Sequence, residues 1–269
     1  MYLDLDATLL GRRGSLFHDG EGATSLLGAR AVEACLRAGV EIVLMSGRRK
    51  ETVAIPARLL GQDSYIFEVG SCLVLDGEEQ WLTGDLRPGE HGTIFEQVDA
   101  SGAPALLLDR FAGRLEYHDP WHRGREVSHL FRGHVDTAEA NALLAAHGHA
   151  RLRLVDNGAM QSGRTNLTGI DDVRIYHLIP EGVSKARAVA AHMRARGLRR
   201  EDCIAVGDSR EDVAVAAEVG TFWLVANAIE RDPEIRGAIP GLGGTVRIAE
   251  EGYGPGVYQA IVTTLAERR

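Results

Sequence analysis

The chain has 269 residues, 45% of them hydrophobic and 25% charged, with a formal net charge of −8. That balance belongs to a folded globular chain rather than a disordered one, and no apolar run approaches the ~20 residues of a membrane-spanning helix. The acidic balance speaks against a general nucleic-acid binder, which needs a basic surface, so any anionic ligand must be held by a local site with its own positive charge.

In chain order, residues 1–6 read as a strand, followed by a Gly/Arg-rich loop to about Gly22. TSLLGARAVEACLRAG has apolar residues at helical spacing and a stop at Gly39. VEIVLM, Val40 to Met45, is a continuous apolar run suited to a strand buried on both faces. A helix from about Lys50 to Leu60 leads to a third strand, SYIFEVG. The order β-α-β-α-β predicts a parallel sheet with helices on its faces. From about Gly84 to Pro180 the segments shorten: ALLLD, RLEYH, LRLVD and VRIYHLI read as strands around one helix, Thr137–His147. Helix Ser184–Arg196, strand CIAVG, helix Arg210–Val219, strand TFWLVA and a helix near Gly256–Arg268 then resume the first pattern. The predicted fold is α/β, a Rossmann-like parallel-sheet core of residues 1–83 and 181–269 with an α+β unit, 84–180, inserted in it. Asp4 and Asp6 interrupt the apolar start, which argues against a secretory signal. Three scattered cysteines, Cys35, Cys72 and Cys203, fit a reducing cytoplasm.

Ligands of parallel α/β sheets bind beyond the carboxyl ends of the strands. Four polar clusters fall at or near such ends: Asp4–Leu5–Asp6–Ala7–Thr8, Ser46–Gly47–Arg48, Lys185, and Gly207–Asp208–Ser209–Arg210–Glu211–Asp212. Each has an ordinary reading as a turn, a helix cap or a surface charge. Of 30 Lys and Arg residues only Lys50 and Lys185 are lysine, so Lys185 stands out where a compact ammonium is useful. Taken together, three carboxylates (Asp4, Asp6, Asp208), a hydroxyl beside a glycine and an ammonium suit Mg²⁺ and a phosphoryl group.

DLDATLLG, LMSGR, VSKARAV and GDSREDVAVA resemble, in order, the four motifs of the haloacid dehalogenase (HAD) superfamily. The insertion between the second and third resembles the cap of the type-two-cap phosphatases, a group that includes Cof-like sugar phosphatases, sucrose-phosphate phosphatase and mannosyl-3-phosphoglycerate phosphatase. YIFEVGSCLVLDG resembles the strand and hairpin that precede that cap. The resemblance implies a Mg²⁺-dependent phosphomonoester hydrolase acting on a small phosphorylated metabolite, with no nucleic-acid or membrane partner. It makes Asp4 the nucleophile that forms an aspartyl-phosphate and Asp6 the general acid and base. It lets Thr8 orient Asp6, and Ser46, Gly47 and Arg48 hold the phosphate. Lys185 would neutralise nucleophile and phosphoryl group. Asp4, the Asp6 carbonyl and Asp208 would hold Mg²⁺, with Asp212 as a further ligand or as a partner that supports the ligands. A phosphomutase, or a non-catalytic binding protein on the same fold, are the alternatives.

Three departures accompany the resemblance. Ala7 stands where the family usually has Gly, Glu211 where it has Asn, and only three residues precede Asp4, which raises the expectation of a longer natural start. For the substrate, the inserted unit offers WHRGREVSH, Trp121–His129, and SGRTN, Ser162–Asn166. The latter resembles a cap loop of mannosyl-3-phosphoglycerate phosphatases, in which Arg164 would hold a carboxylate; otherwise Arg123, Arg125 and Arg164 are surface arginines. His118, His122 and His129 have no common zinc spacing.

Overall fold

The computed structural model describes residues 1–160, 165–239, 241 and 245–268. The chain divides into two compact units, Met1–Gln80 with Ser184–Arg269, and Trp81–Val183.

The first unit begins with β1 (Tyr2–Asp4), α1 (Leu27–Arg37), β2 (Val43–Met45), α2 (Lys50–Leu59), β3 (Tyr65–Phe67), β4 (Cys72–Leu75) and β5 (Glu78–Trp81). The second unit holds α3 (Ile94–Ala100), α4 (Ala103–Arg110), β6 (Leu115–Tyr117), β7 (His129–Gly133), α5 (Thr137–Ala146), β8 (Leu152–Ala159) and β9 (Arg174–Pro180). The first then resumes with α6 (Lys185–Arg196), β10 (Ile204–Gly207), α7 (Arg210–Val213), β11 (Thr221–Leu224), α8 (Asn227–Arg231), β12 (Thr245–Ile248) and α9 (Tyr253–Glu267).

The fold is α/β, as the alternating pattern predicts. The first unit is built on one sheet of order β12-β11-β10-β1-β2-β3-β4-β5, parallel from β12 to β3 and antiparallel between β3 and β4. β1 is central, with Tyr2 opposite Ala205 on one side and Val43 on the other. β1, β2, β3 and β10 are buried throughout, which explains their unbroken apolar runs. α1 and α9 approach at a glycine pair, where a Cβ on Gly254 would come within 3.0 Å of the Gly28 backbone. No helix among the described residues is long and apolar enough to cross a membrane.

The second unit is a four-stranded antiparallel sheet, β6-β7-β9-β8, packed over a core that includes Val98, Leu107, Phe111, Phe131, Leu144 and Tyr176. Here the structure corrects the sequence reading. ALLLD is part of helix α4, because Ala103, Leu107 and Phe111 recur one helical turn apart on the buried side and Pro104 sits in the first turn. α3, whose capping box pairs Thr93 with Glu96, and strand β7 also escaped the sequence reading. In the first unit, the helix expected over Arg210–Val219 is one α-turn, Arg210–Val213, continued as a 3₁₀ segment, Ala214–Ala217.

Candidate active site

β1 ends at Asp4, whose carboxylate is buried. In the turn that follows, Ala7 takes φ +61°, a left-handed conformation that a Cβ disfavours. Leu9 N–H donates to the Asp4 carbonyl (3.3 Å) and Leu10 N–H to that of Leu5 (2.9 Å), closing a tight turn. Asn227 Nδ2 supports it by donating to the Ala7 carbonyl at 2.9 Å, and Tyr253 N–H donates to Asn227 Oδ1 at 2.9 Å. The two aspartates therefore do not lie side by side along one strand. Asp6 sits in the turn with its side chain 52% exposed, held by Arg48 through Nε–Oδ2 (2.7 Å) and Nη2–Oδ1 (2.5 Å).

Lys185, first residue of α6, is buried and bridges two carboxylates: Nζ donates to Asp4 Oδ1 at 2.6 Å and Asp212 Oδ1 at 2.7 Å. Burial alone would lower the lysine's pKa, but Asp212 and Asp4 overcome it and raise it, so the ammonium is fixed. Asp212 uses its second oxygen in the capping box of α7, accepting from Ser209 Oγ (2.6 Å) and Ser209 N–H (3.1 Å). A Cβ on Gly207 would lie 2.3 Å from the Asp212 side chain, so the glycine at the end of β10 makes room for it.

Asp208 follows β10 and receives Thr8 Oγ1 on Oδ1 (3.0 Å) and Arg231 Nη1 on Oδ2 (2.5 Å). Thr8 thus donates to Asp208 rather than to Asp6, the partner the family resemblance implies for it. Burial pushes the Asp208 carboxyl up to about 6, with Arg231 acting against it. Burial likewise holds the Asp4 carboxyl well above its ordinary range despite Lys185, with Asp212 and Asp208 adding to the rise. Among the described residues, Asp4, Asp208 and Asp212 are the group of His, Cys or acidic side chains that brings ligand atoms within 4.8 Å of one another.

The second motif sits beside this centre. Ser46 is buried and its Oγ accepts the Arg48 N–H at 3.1 Å; Gly47 lies between them. The turn after β3 braces both this loop and α6. Its residues Glu68, Val69 and Gly70 all have positive φ (45°, 60° and 92°). Glu68 N–H donates to the Arg48 carbonyl (3.0 Å) and Val69 N–H to that of Ser46 (3.1 Å). Gly70 faces the start of α6 so closely that a Cβ would lie 2.2 Å from the Ser184 carbonyl oxygen.

Thus Asp4, Lys185, Asp208 and Asp212 come together, Thr8 joins them through Asp208, and Asp6 and Arg48 form a neighbouring pair. Sequence reasoning missed Arg231, Asn227 and the bracing turn, because a partner supplied from α8 leaves no spacing signal in the motifs it serves.

In the second unit, the basic cluster is not an open cationic patch. Arg125 is buried and donates to Ser128 Oγ (2.8 Å) and the Trp121 carbonyl (3.3 Å), while Arg123 pairs with Asp119. His122 stacks on Tyr117 and His129 on Phe95, each with ring centroids 3.9 Å apart. Among the described residues His118, His122 and His129 form no metal-ligand group. Of SGRTN, Ser162, Gly163 and Arg164 lie outside the described residues, whereas Thr165 Oγ1 (2.9 Å) and Asn166 N–H (3.1 Å) donate to Glu116 Oε1.

A sequence profile described as haloacid dehalogenase-like hydrolase matches residues 169–234. A phosphoglycolate phosphatase of Halobacterium salinarum is 31% identical over 200 residues, 73% of this chain and 74% of its own. One from Methanoculleus marisnigri is 27% identical over 262 residues, 96% and 93% of the two chains. The sucrose-phosphatase of Synechocystis, solved with sucrose and phosphate, shares the fold at a TM-score of 0.61 and 14% identity, over 99% of this chain and 96% of that one. The chain belongs to the haloacid dehalogenase-like hydrolases. Within that family it is a phosphatase.

Proposed function

We propose that the protein hydrolyses a small phosphorylated acid in the cytoplasm, with Mg²⁺ as cofactor and phosphoglycolate as the first substrate to try. The observation that carries the reading is the Lys185 bridge between Asp4 and Asp212 with Asp208 beside it. The phosphoglycolate phosphatases among its relatives favour that substrate over a sugar phosphate.

The donor set suits a hard divalent cation: Asp4 and Asp208 are convergent carboxylates, and the Asp6 carbonyl belongs to the same turn. Asp212 fits a supporting role better, since Lys185 and Ser209 already engage both its oxygens. When bound, Mg²⁺ supplies positive charge for the oxygens of the transferring phosphoryl group. Asp4 Oδ2, the oxygen not engaged by Lys185, attacks phosphorus, and the leaving oxygen departs with a proton from Asp6. Asp6 then takes a proton from the water that cleaves the aspartyl-phosphate, restoring Asp4. Ser46 and Gly47 hold phosphoryl oxygens, while Arg48 keeps Asp6 aimed. Arg164 in the inserted unit is a candidate for the substrate carboxylate.

The test is phosphate release from phosphoglycolate, 3-phosphoglycerate and hexose phosphates, with Mg²⁺ and with EDTA, for the wild type and Asp4→Asn. Magnesium-dependent release from phosphoglycolate that vanishes in Asp4→Asn supports the reading. Release that persists in Asp4→Asn removes the nucleophile assignment, and preference for hexose phosphates removes the substrate. Interconversion of sugar monophosphates with little free phosphate would point to a mutase instead.

A further inference from the structure

Arg231 ends α8, one turn beyond Asn227, whose side chain is bonded to the Ala7 carbonyl. Its Nη1 donates to Asp208 Oδ2 at 2.5 Å while Thr8 donates to Oδ1 at 3.0 Å, so both oxygens of a carboxylate only 7% exposed carry a donor. We propose that Arg231 is a stand-in counter-ion that covers Asp208 Oδ2 until a divalent cation binds, has to leave for it to bind, and thereby sets the metal affinity. This rests on the divalent-cation reading above.

The charges make the case. Three carboxylates converge, and the Lys185 ammonium is shared between Asp4 and Asp212. Asp208 would be left as a buried carboxylate without a direct cationic partner, a costly state, and Arg231 relieves it. A guanidinium does not deprotonate at any ordinary pH, so it can clear the oxygen only by rotating away. Of the two cations, Arg231 is the one able to move. Its side chain is 25% exposed at the end of a five-residue helix, whereas Lys185 is 3% exposed and locked between two carboxylates. Metal binding is then an exchange of cations, and the apparent affinity falls by the fraction of molecules in which Arg231 has swung clear.

The experiment is isothermal titration of Mg²⁺ and Mn²⁺ into the metal-free full chain as wild type, Arg231→Gln, Arg231→Met and Arg231→Lys. Arg247→Gln, which removes a distant arginine paired with Glu267, controls for net charge. With an arginine-off population near one tenth, Arg231→Gln and Arg231→Met bind about tenfold tighter. Arg231→Lys and Arg247→Gln stay close to the wild type. The neutral variants also melt earlier without metal and gain more on adding Mn²⁺. Equal or weaker binding in whichever neutral variant folds overturns the proposal, as does the same tightening in Arg247→Gln. A wild type that binds neither cation removes the metal reading and this inference with it. A wild type that binds, beside neutral variants that bind no tighter, removes this inference alone.

Discussion

Lys185 Nζ lies 2.6 Å from Asp4 Oδ1, joining the last residue of β1 to the first of α6 inside a buried site. Removing the ammonium leaves Asp4 and Asp212 facing each other with their charges uncompensated. Lys185→Met is expected to lower kcat by about 10² to 10³ and to destabilise the fold by about 3–5 kcal/mol. Arginine should not restore activity, since the planar guanidinium does not fit a pocket shaped for a compact ammonium. Steady-state rates and urea unfolding measure the two effects. A Lys185→Met enzyme within a few-fold of the wild type would exclude a direct part in catalysis.

The Arg48–Asp6 pair leads to a prediction on leaving groups. If Arg48 keeps Asp6 aimed, its loss should matter most where the departing oxygen needs a proton. Arg48→Gln should slow hydrolysis of alkyl phosphates by about 10²-fold and that of p-nitrophenyl phosphate much less. An equal loss on both substrates would show instead that Arg48 acts on the phosphate itself.

Ala7 is buried at φ +61°. Glycine accepts that conformation without the Cβ conflict, although it adds freedom to the unfolded chain. Ala7→Gly is expected to raise stability by about 0.5–1 kcal/mol in denaturant unfolding, and Ala7→Val to lower it. Loss of stability in Ala7→Gly would mean that packing of the Ala7 methyl outweighs the strain.

The histidine stack of the inserted unit predicts acid sensitivity. His129 is fully buried against Phe95, and its Nε2 donates to the Phe95 carbonyl. Its Nδ1 has no hydrogen-bond partner, so a second proton there would be stranded. Burial pushes His129 down to about 4, with His122 and Arg125 adding to the fall and Asp99 opposing it. Burial, Arg132 and Arg125 push His118 down to about 4 as well. Between about pH 6.5 and 4 the unfolded chain binds these protons and the folded chain does not. Stability therefore falls on acidification by up to ~1.4 kcal/mol per pH unit for each histidine. Asp4 and Asp208, whose carboxyls burial pushes up, titrate with the opposite sign, so the test compares thermal melts of the wild type and His129→Phe over this range. The wild type is expected to lose more stability on acidification than the variant, and an equal pH dependence in the two would rule His129 out as a source.

The sequence announced the alternating fold and the four polar clusters because parallel sheets collect their ligand groups at strand ends, and those groups are polar residues after apolar runs. The inserted unit was less legible. ALLLD is short and apolar, and a helix and a strand of that length look alike until Phe111 and Ala103 are placed on one face with Leu107. The family resemblance ties Thr8 to Asp6, whereas folding brings Asp208 to it from 200 positions away, a pairing that no local spacing announces. Arg231 left no trace, since a charge pair formed across the fold has no characteristic spacing.

The place of β1 has a consequence for synthesis. Tyr2 pairs with Val43 early in the chain and with Ala205 late in it. Until β10 emerges from the ribosome, one side of the first strand has backbone donors and acceptors with no neighbour, a hazard for sticking to other chains. A fragment ending at residue 183 would keep that open edge permanently. It should be recovered as aggregate, and supplying residues 184–269 in trans during refolding should rescue it into solution.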